Sequence, residues 1–490
     1  MTLETFRELA REYQLIPVTR EVLFDTNTAV TAYAKIRDGK FSFLLESVIG
    51  GEKWGRYTFL GSAPRAVLRA QHGGITRWTA QHGWQSVAAA DPLAYLQERL
   101  AAQRVAPVPG LPRFLGGAVG YLAYDVVRFI ERLPNAPPDD LELPDALLLF
   151  TDTVIAIDNV FGKAIIICMA EVTDGATVDQ TFQQAQSKLA DVAARLAQPH
   201  NLDLLTEPAL PAAPRRTFRS SFARADFESA VERIRDYIKA GDAFQVVLSQ
   251  RLEVPLKAAA LDAYRILRSL NPSPYLYLLE LDGLTLVGSS PEALVRVEDG
   301  RVVAKPIAGT RRRGGSEAED VALAAELRAD EKERAEHLML VDLARNDVGR
   351  IAAYGSVQVG ELMKIERYSH VLHMVTQVEA ELRPGLVAMD VLRACFPAGT
   401  VSGAPKVRAM ELIDELEPVR RGPYAGAVGY FSYGGHNMDM AIAIRTLMLT
   451  GGKAFIQAGA GIVLDSIPSR EYEETLSKAD ALLQLISILD

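Results

Sequence analysis

The sequence predicts an α/β protein of the α+β type, with helices packed on sheets, on three observations. Its 490 residues are 49% hydrophobic and 23% charged, with 36 Gly and 25 Pro, so the chain can bury a large core and is neither disordered nor fibrous. Apolar or alternating runs of strand length recur along it, each closed by turn residues. Between them stand fewer, longer stretches of helical period.

The opening MTLETFRELAREYQ is polar and helical in pattern and lacks an apolar signal core. No later run approaches the roughly 18 apolar residues of a membrane span. The expectation is a chain neither exported nor membrane-spanning. From Thr19 to about Ala197 strands dominate, most clearly FSFLLESV, LLLFTDTVIAID and GKAIIICMA, and residues 178–197 read as an amphipathic helix. QPHNLDLLTEPALPAAP then gathers prolines between periodic segments and marks a linker, dividing an N-terminal region 1–215 from a second region 216–490. Beyond it Asp226 is expected to cap a helix through Ala240. Strands follow at AFQVVLSQRLEV, YLYLLEL and TLVGSS, and later at GAVGYFSY, MAIAIRTLML and KAFIQAGAGIV. Asp330, three residues before Glu333, is a capping-box-like start for EKERAEHLMLVDLARND, whose apolar positions are Leu338, Val341 and Leu343. The last helix begins near Pro468 and Ser469 and continues REYEETLSKADALLQLISIL.

Composition narrows the function. A formal charge of −9, from 53 Lys plus Arg against 62 Asp plus Glu, argues against nucleic acid as a partner. Cys168 and Cys395 lie far apart and form neither a disulfide framework nor a zinc cluster, which fits a reducing cytoplasm. GTVSGAPK lacks the Gly-Lys-Ser/Thr of a phosphate loop, and no His-Glu-x-x-His occurs among the seven histidines. What remains are two carboxylate pairs, Glu333 with Glu336 and Glu471 with Glu474, each at i and i+3 on one helical face. If the two faces meet, four oxygen ligands without a histidine pair suit a hard divalent ion such as magnesium. Taken alone, each pair equally describes a solvated helix surface.

From about Ala225 to Asp480 the chain resembles the chorismate-utilising enzyme family. The strings that carry the resemblance are DAFQVVLSQR (242–251), GSSPEAL (288–294), PIAGTR (306–311), EHLMLVDLARND (336–347), FPAGTVSGAPK (396–406), AIRT (443–446) and QAGAGIVLDS with EYEET (457–475). In the first half LLES (44–47), WGRYTFLG (54–61) and LPRFLGGAVGYLAYD (111–125) are similar to the family's anthranilate-forming branch. The resemblance implies two intertwined subdomains around mostly antiparallel sheets. It also implies a magnesium-dependent amination of chorismate at C2, with loss of the C4 hydroxyl, followed by elimination of pyruvate.

Residue roles are implied in the same way. Glu336 and Glu474 match the direct metal ligands, with Glu333 and Glu471 acting directly or through water, so that Mg2+ neutralises the ring carboxylate. Glu292 matches the general acid, which requires a raised pKa, and His373 the histidine beside the ring that assists loss of the enolpyruvyl group. Gln245 stands where water-adding relatives carry a lysine base, and ammonia needs no such activation. Tyr424 and Arg445 match contacts to the pyruvyl carboxylate, Lys478 adds positive charge, and Gly309, Thr310, Thr400 and Gly461 bring donors close to the ring.

Supply and control are implied too. Neither cysteine stands in a glycine-rich nucleophile turn, so a separate glutamine amidotransferase subunit is expected to supply ammonia, in a heterotetramer of two large and two small subunits. Glu46, Ser47 and Arg56, with Asn271, Pro272, Pro274, Tyr275 and Leu276, resemble an L-tryptophan feedback site, where Leu276 departs from the usual methionine. Two other readings compete. An aminodeoxychorismate synthase would typically carry a nucleophilic lysine where this chain has Ala308, and a non-catalytic amino-acid-sensing subunit should have lost Glu292 or one of the four glutamates.

Overall fold

A computed structural model of the chain describes residues 1–47, 55–173, 177–205, 217–368 and 371–489. His370, Trp54 of the WGRYTFLG string and the expected boundary at residue 215 lie outside the described residues. Two large sheets, of twelve and eleven strands, and a third of three strands organise the rest. The ladders that join the strands are antiparallel.

Strand faces alternate between two cores. On Tyr275–Leu281, Tyr277 and Leu279 point into the core between the large sheets, while Leu276 and Leu278 point to the outer core against helices such as Val178–Ala197, Ala260–Leu270 and Pro468–Ile488. Both faces are buried, which is why these strands read as unbroken apolar runs. The same property hides two breaks. LLLFTDTVIAID, expected as one run, is two strands, Ala146–Thr151 in the eleven-stranded sheet and Thr153–Asp158 in the twelve-stranded one. MAIAIRTLML likewise divides into Met438–Ile442 and Thr446–Thr450, again in different sheets.

Each large sheet takes strands from both sides of residue 215 and joins them at a single strand pair. Phe41–Glu46 pairs with Tyr275–Leu281 in one, and Gly117–Leu122 with Ala427–Ser432 in the other.

Helix expectations hold with two corrections. Val178–Ala197 and Pro468–Ile488 appear as read, and Asp330 caps Glu331–Gly349 by accepting from the N–H groups of Lys332 and Glu333. Asp226, however, lies inside the first turn of Arg224–Lys239 rather than at its cap, where its charge still opposes the positive helix end. Leu338 is exposed, and the buried face of its helix is His337, Leu340, Val341 and Val348. The true apolar stripe therefore includes a histidine, which a hydropathy pattern does not count.

Candidate active site

The helix Glu331–Gly349 turns Glu336 toward the start of the strand Gln245–Pro255, where the Gln245 amide donates to Glu336 Oε1 at 3.3 Å. Gln245 is buried, and a Cβ on Gly461 would lie 2.4 Å from its Nε2, so the glycine leaves room for the amide in the position it occupies. From the last helix Lys478 Nζ pairs with Glu474 at 2.9 Å and donates to the Gly459 carbonyl at 3.0 Å. Burial raises the Glu336 carboxyl above its usual range; the Gln245 bond opposes this, and the charges of Glu333 and Glu474 reinforce it. Glu471 is raised chiefly by burial, with a Ser466 hydrogen bond opposing and Glu474 adding. Glu333 is bonded by Arg311 at 3.2 Å.

The charges of both Glu333 and Glu474 reach Glu336, so the carboxylates of the two helices lie within electrostatic range of one another. Among the described residues, no three acidic, histidine or cysteine side chains close into a preformed metal cage. Magnesium does not need one, since it takes one or two carboxylates and keeps waters and substrate oxygens. Mutually repelling, partly desolvated carboxylates fit that ion: Glu336 and Glu474 could hold it, with Glu333 and Glu471 behind them.

Glu292 follows the strand Leu284–Ser290, its N–H donating to Ser290 Oγ at 3.3 Å and its carbonyl accepting from Ile442 N–H at 3.0 Å. Burial pushes its carboxyl up to about 8, against the pull of Thr400, the Ile307 backbone, Arg445 and Lys478. Thr400 approaches that carboxyl, but its buried hydroxyl closes no hydrogen bond of good geometry. Arg445 occupies the gap between the two strands that replace MAIAIRTLML, with a φ of +49°, a strained backbone for a non-glycine residue. Desolvation pulls its guanidinium pKa down, and the carboxylate that offsets this is that of Glu292.

Gly309, at a φ of +67°, makes a bulge between Ala308 and Thr310 that brings Thr310 opposite His373. A Cβ there would stand 2.9 Å from Leu327 and 3.1 Å from Glu333 Oε2. His373 Nδ1 lies 3.0 Å from Thr310 Oγ1 and 3.3 Å from the Gly309 carbonyl. A carbonyl only accepts, so Nδ1 carries the proton and Nε2 keeps its lone pair. Burial and the Arg445 charge pull the imidazole down to about 4, so it is neutral at pH 7. Tyr424, whose hydroxyl faces Gly459, is pushed up to about 12 by burial and stays protonated.

A cavity of about 640 Å³, its open mouth included, lies between the large sheets, lined from both strands of the Phe41–Glu46/Tyr275–Leu281 pair and from Ala427–Ser432. Of the residues read as a feedback site, Glu46, Ser47, Pro274, Tyr275 and Leu276 are among its lining, whereas Arg56, Asn271 and Pro272 stand outside it. Arg56 instead pairs with Asp158 at 2.8 Å. The Glu46 carboxylate accepts from Tyr264 at 2.7 Å and Arg268 at 2.7 and 2.9 Å. Sequence reasoning missed Arg113 and Asp439 in this lining. Burial pushes the Asp439 carboxyl up to about 6, against the Arg113 charge and a 3.0 Å bond from the Tyr275 hydroxyl. Arg113 stood inside a quoted string, but Asp439 had no signal beyond an acid in an apolar run.

A family model described as chorismate binding enzyme matches residues 43–484. The anthranilate synthase component 1 of Pseudomonas aeruginosa is 50% identical over 100% of this chain and 99% of its own length. That of Aquifex aeolicus is 47% identical, over 100% and 98%. The crystal structure of anthranilate synthase component I from Streptococcus pneumoniae superposes with a TM-score of 0.75 at 37% identity, covering 94% of this chain and 99% of that one. The menaquinone-specific isochorismate synthase of Escherichia coli shares the fold, with a TM-score of 0.68 at 20% identity over 99% and 98% of the two chains.

Proposed function

The chain belongs to the chorismate-binding enzyme family, and from that premise we propose that it aminates chorismate at C2 with loss of the C4 hydroxyl, then eliminates pyruvate to give anthranilate, as the large component of an anthranilate synthase. The observation that carries this reading is Gln245, a neutral amide buried against Glu336 where a water-activating base would otherwise stand. Ala308, buried in its strand, offers no covalent nucleophile, which disfavours the 4-amino relatives.

Glu292, protonated near neutrality, donates its proton to the departing C4 oxygen. Arg445 and Tyr424 orient the pyruvyl carboxylate, the arginine as a two-pronged donor and the tyrosine through a hydroxyl that stays protonated. His373, with Nε2 unprotonated, accepts the ring proton whose loss expels pyruvate. Thr310 and Thr400 supply hydroxyls, and Lys478 a charge beside Glu474. Mg2+, held by Glu336 and Glu474 with Glu333 and Glu471 in support, would neutralise the ring carboxylate and withdraw electrons from the ring.

Ammonia comes from a glutamine amidotransferase subunit, in an assembly of two large and two small chains. Both cysteines here are buried, their thiols pushed up to about 11 and about 12, the reverse of an activated nucleophile. The cavity between the sheets takes L-tryptophan as inhibitor. Tyr57, Phe59 and Tyr430 supply aromatic walls, and Glu46, Asp439 and Arg113 supply charges for a zwitterion. A cytoplasmic location fits two unpaired thiols and the absence, among the described residues, of a helix able to cross a membrane. The test is purified chain with chorismate, magnesium and ammonium salt, with and without tryptophan. Fluorescent anthranilate is the expected product; isochorismate or an amine retained at C4 would overturn the reading.

A further inference from the structure

We propose that Tyr368 and Glu366 are positioning residues for His373: they hold the imidazole in the orientation that takes the ring proton, and so decide whether the aminated ring goes on to anthranilate or leaves unfinished. The inference rests on the anthranilate-forming reading above.

His373 occupies the middle strand of the three-stranded sheet, Val371–Val375, with Ile307–Arg312 on one side and Lys364–Arg367 on the other. Register places Thr310 opposite it on the first side and Glu366 opposite it on the second. Residues directly opposite on antiparallel strands share a face, so the three form one row. On the Thr310 side, Nδ1 is anchored by the Thr310 hydroxyl and the Gly309 carbonyl. One anchored atom does not fix a ring, because the torsion about the Cβ–Cγ bond of histidine is broad. The second contact comes from the other side. Tyr368, buried just beyond the strand of Glu366, meets the imidazole in an edge contact, with ring centroids 5.4 Å apart and planes inclined by 65°.

Tyr368 is itself held from several directions. Its hydroxyl donates to Glu366 Oε2 at 2.7 Å, its N–H donates to the Val371 carbonyl at 2.9 Å, and its carbonyl accepts from Arg313 at 2.8 Å. Lys305 donates to the same Glu366 oxygen at 2.8 Å. Burial would raise the Glu366 carboxyl, but the bond and charge of Lys305, with the Tyr368 bond, hold it below its usual range. Glu366 is therefore an anion at pH 7 and acts twice. It fixes the tyrosine through its hydroxyl, and its charge favours the imidazolium formed when Nε2 takes the ring proton, against burial and the charge of Arg445. In that step the C–H electron pair completes the aromatic ring, the ether C–O bond breaks, and the enolate that leaves takes a proton from water to become pyruvate. The amination step, assigned to Glu292 and the metal candidates, makes no use of this row.

The experiment reads, by mass, the ratio of two products, anthranilate and the aminated, non-aromatic ring. Tyr368→Leu removes the edge contact and is expected to form anthranilate about tenfold more slowly than wild type, part of the roughly 10²–10⁴-fold that a general base supplies, while releasing the non-aromatic ring with the chorismate KM unmoved. Tyr368→Phe keeps the edge contact and should recover most of the anthranilate. Glu366→Gln keeps the shape but loses the charge, serves where the leucine variant does not fold, and should shift the ratio in the same direction. Placed on His373→Met, Tyr368→Leu should shift the ratio no further. Folded variants that lose rate at an unchanged ratio, or that keep both rate and ratio, overturn the positioning role alone, as does a further shift in the His373→Met background. No anthranilate from wild type overturns the functional reading and this role with it.

Discussion

At the scale of single residues, the proposed chemistry depends on one group whose ordinary protonation is inverted, Glu292, and on one whose neutral form is reinforced, His373. Glu292 acts while protonated, so its contribution is present below about pH 8 and lost as pH rises through that value. His373 acts while neutral, so its contribution is present above about pH 4 and lost as pH falls through that value. The kcat/KM profile of the purified chain should therefore be a broad plateau bounded near those two limbs, and Glu292→Gln should lower turnover by about 10²–10⁴-fold and remove the alkaline limb. His373→Met should still consume chorismate but release an aminated, non-aromatic ring, as mass analysis of the products would reveal; normal anthranilate from this variant would refute the division of labour. Motif resemblance made both residues legible, but spacing did not. A Ser-Pro-Glu turn reads as a surface carboxylate, because the groups that bury this one, Ile442, Arg445 and Thr400, come from more than a hundred residues away.

Among elements, the two carboxylate helices reach neighbouring paired strands, Gln245–Pro255 and Lys453–Ile462. Glu336→Gln and Glu474→Gln each remove a negative oxygen, so the magnesium concentration for half-maximal rate should rise sharply while circular dichroism stays unchanged. A different element pair holds the loop that carries Tyr424. Arg421 and Glu417, one turn apart and almost fully buried, join at 2.6 Å, and the arginine also donates to the carbonyls of Val401 and Val247 while Glu417 accepts from Ser249. Glu417→Ala would leave a buried guanidinium without its counter-charge and should cost about 3–5 kcal/mol in denaturant unfolding. The i, i+4 spacing of that pair was visible in the sequence, but its burial was not. Strand existence was legible for the opposite reason, since an apolar run of strand length needs no distant information. The two breaks at Asp152 and at Ala443–Arg445 were missed because residues on both sides are buried, so hydropathy continues across a point where the chain leaves one sheet for the other.

For the whole molecule, the decisive fact is that each large sheet is joined across the two regions by one strand pair. Residues 1–215 and 216–490 expressed apart would each expose the edges of Phe41–Glu46 or Tyr275–Leu281, apolar on both faces, and should aggregate, whereas co-expression should recover a soluble complex on size exclusion. The linker composition pointed to a division of the chain, but composition carries no information about which strands pair across it. The cavity between the sheets lies at the Phe41–Glu46/Tyr275–Leu281 joint, reaches one strand of the other, and touches the hairpin that leads to Glu292. Tyr275, bonded to Asp439 in the cavity, stands directly opposite Ser290, the residue whose hydroxyl accepts from the Glu292 backbone. A strand cannot slip by one residue without turning every side chain to the wrong face, so the pairing of Tyr275 with Ser290 is held in register. In the proposed inhibition, an occupant of the cavity that displaces Tyr275 would carry Ser290, the anchor of Glu292, along with its own binding wall.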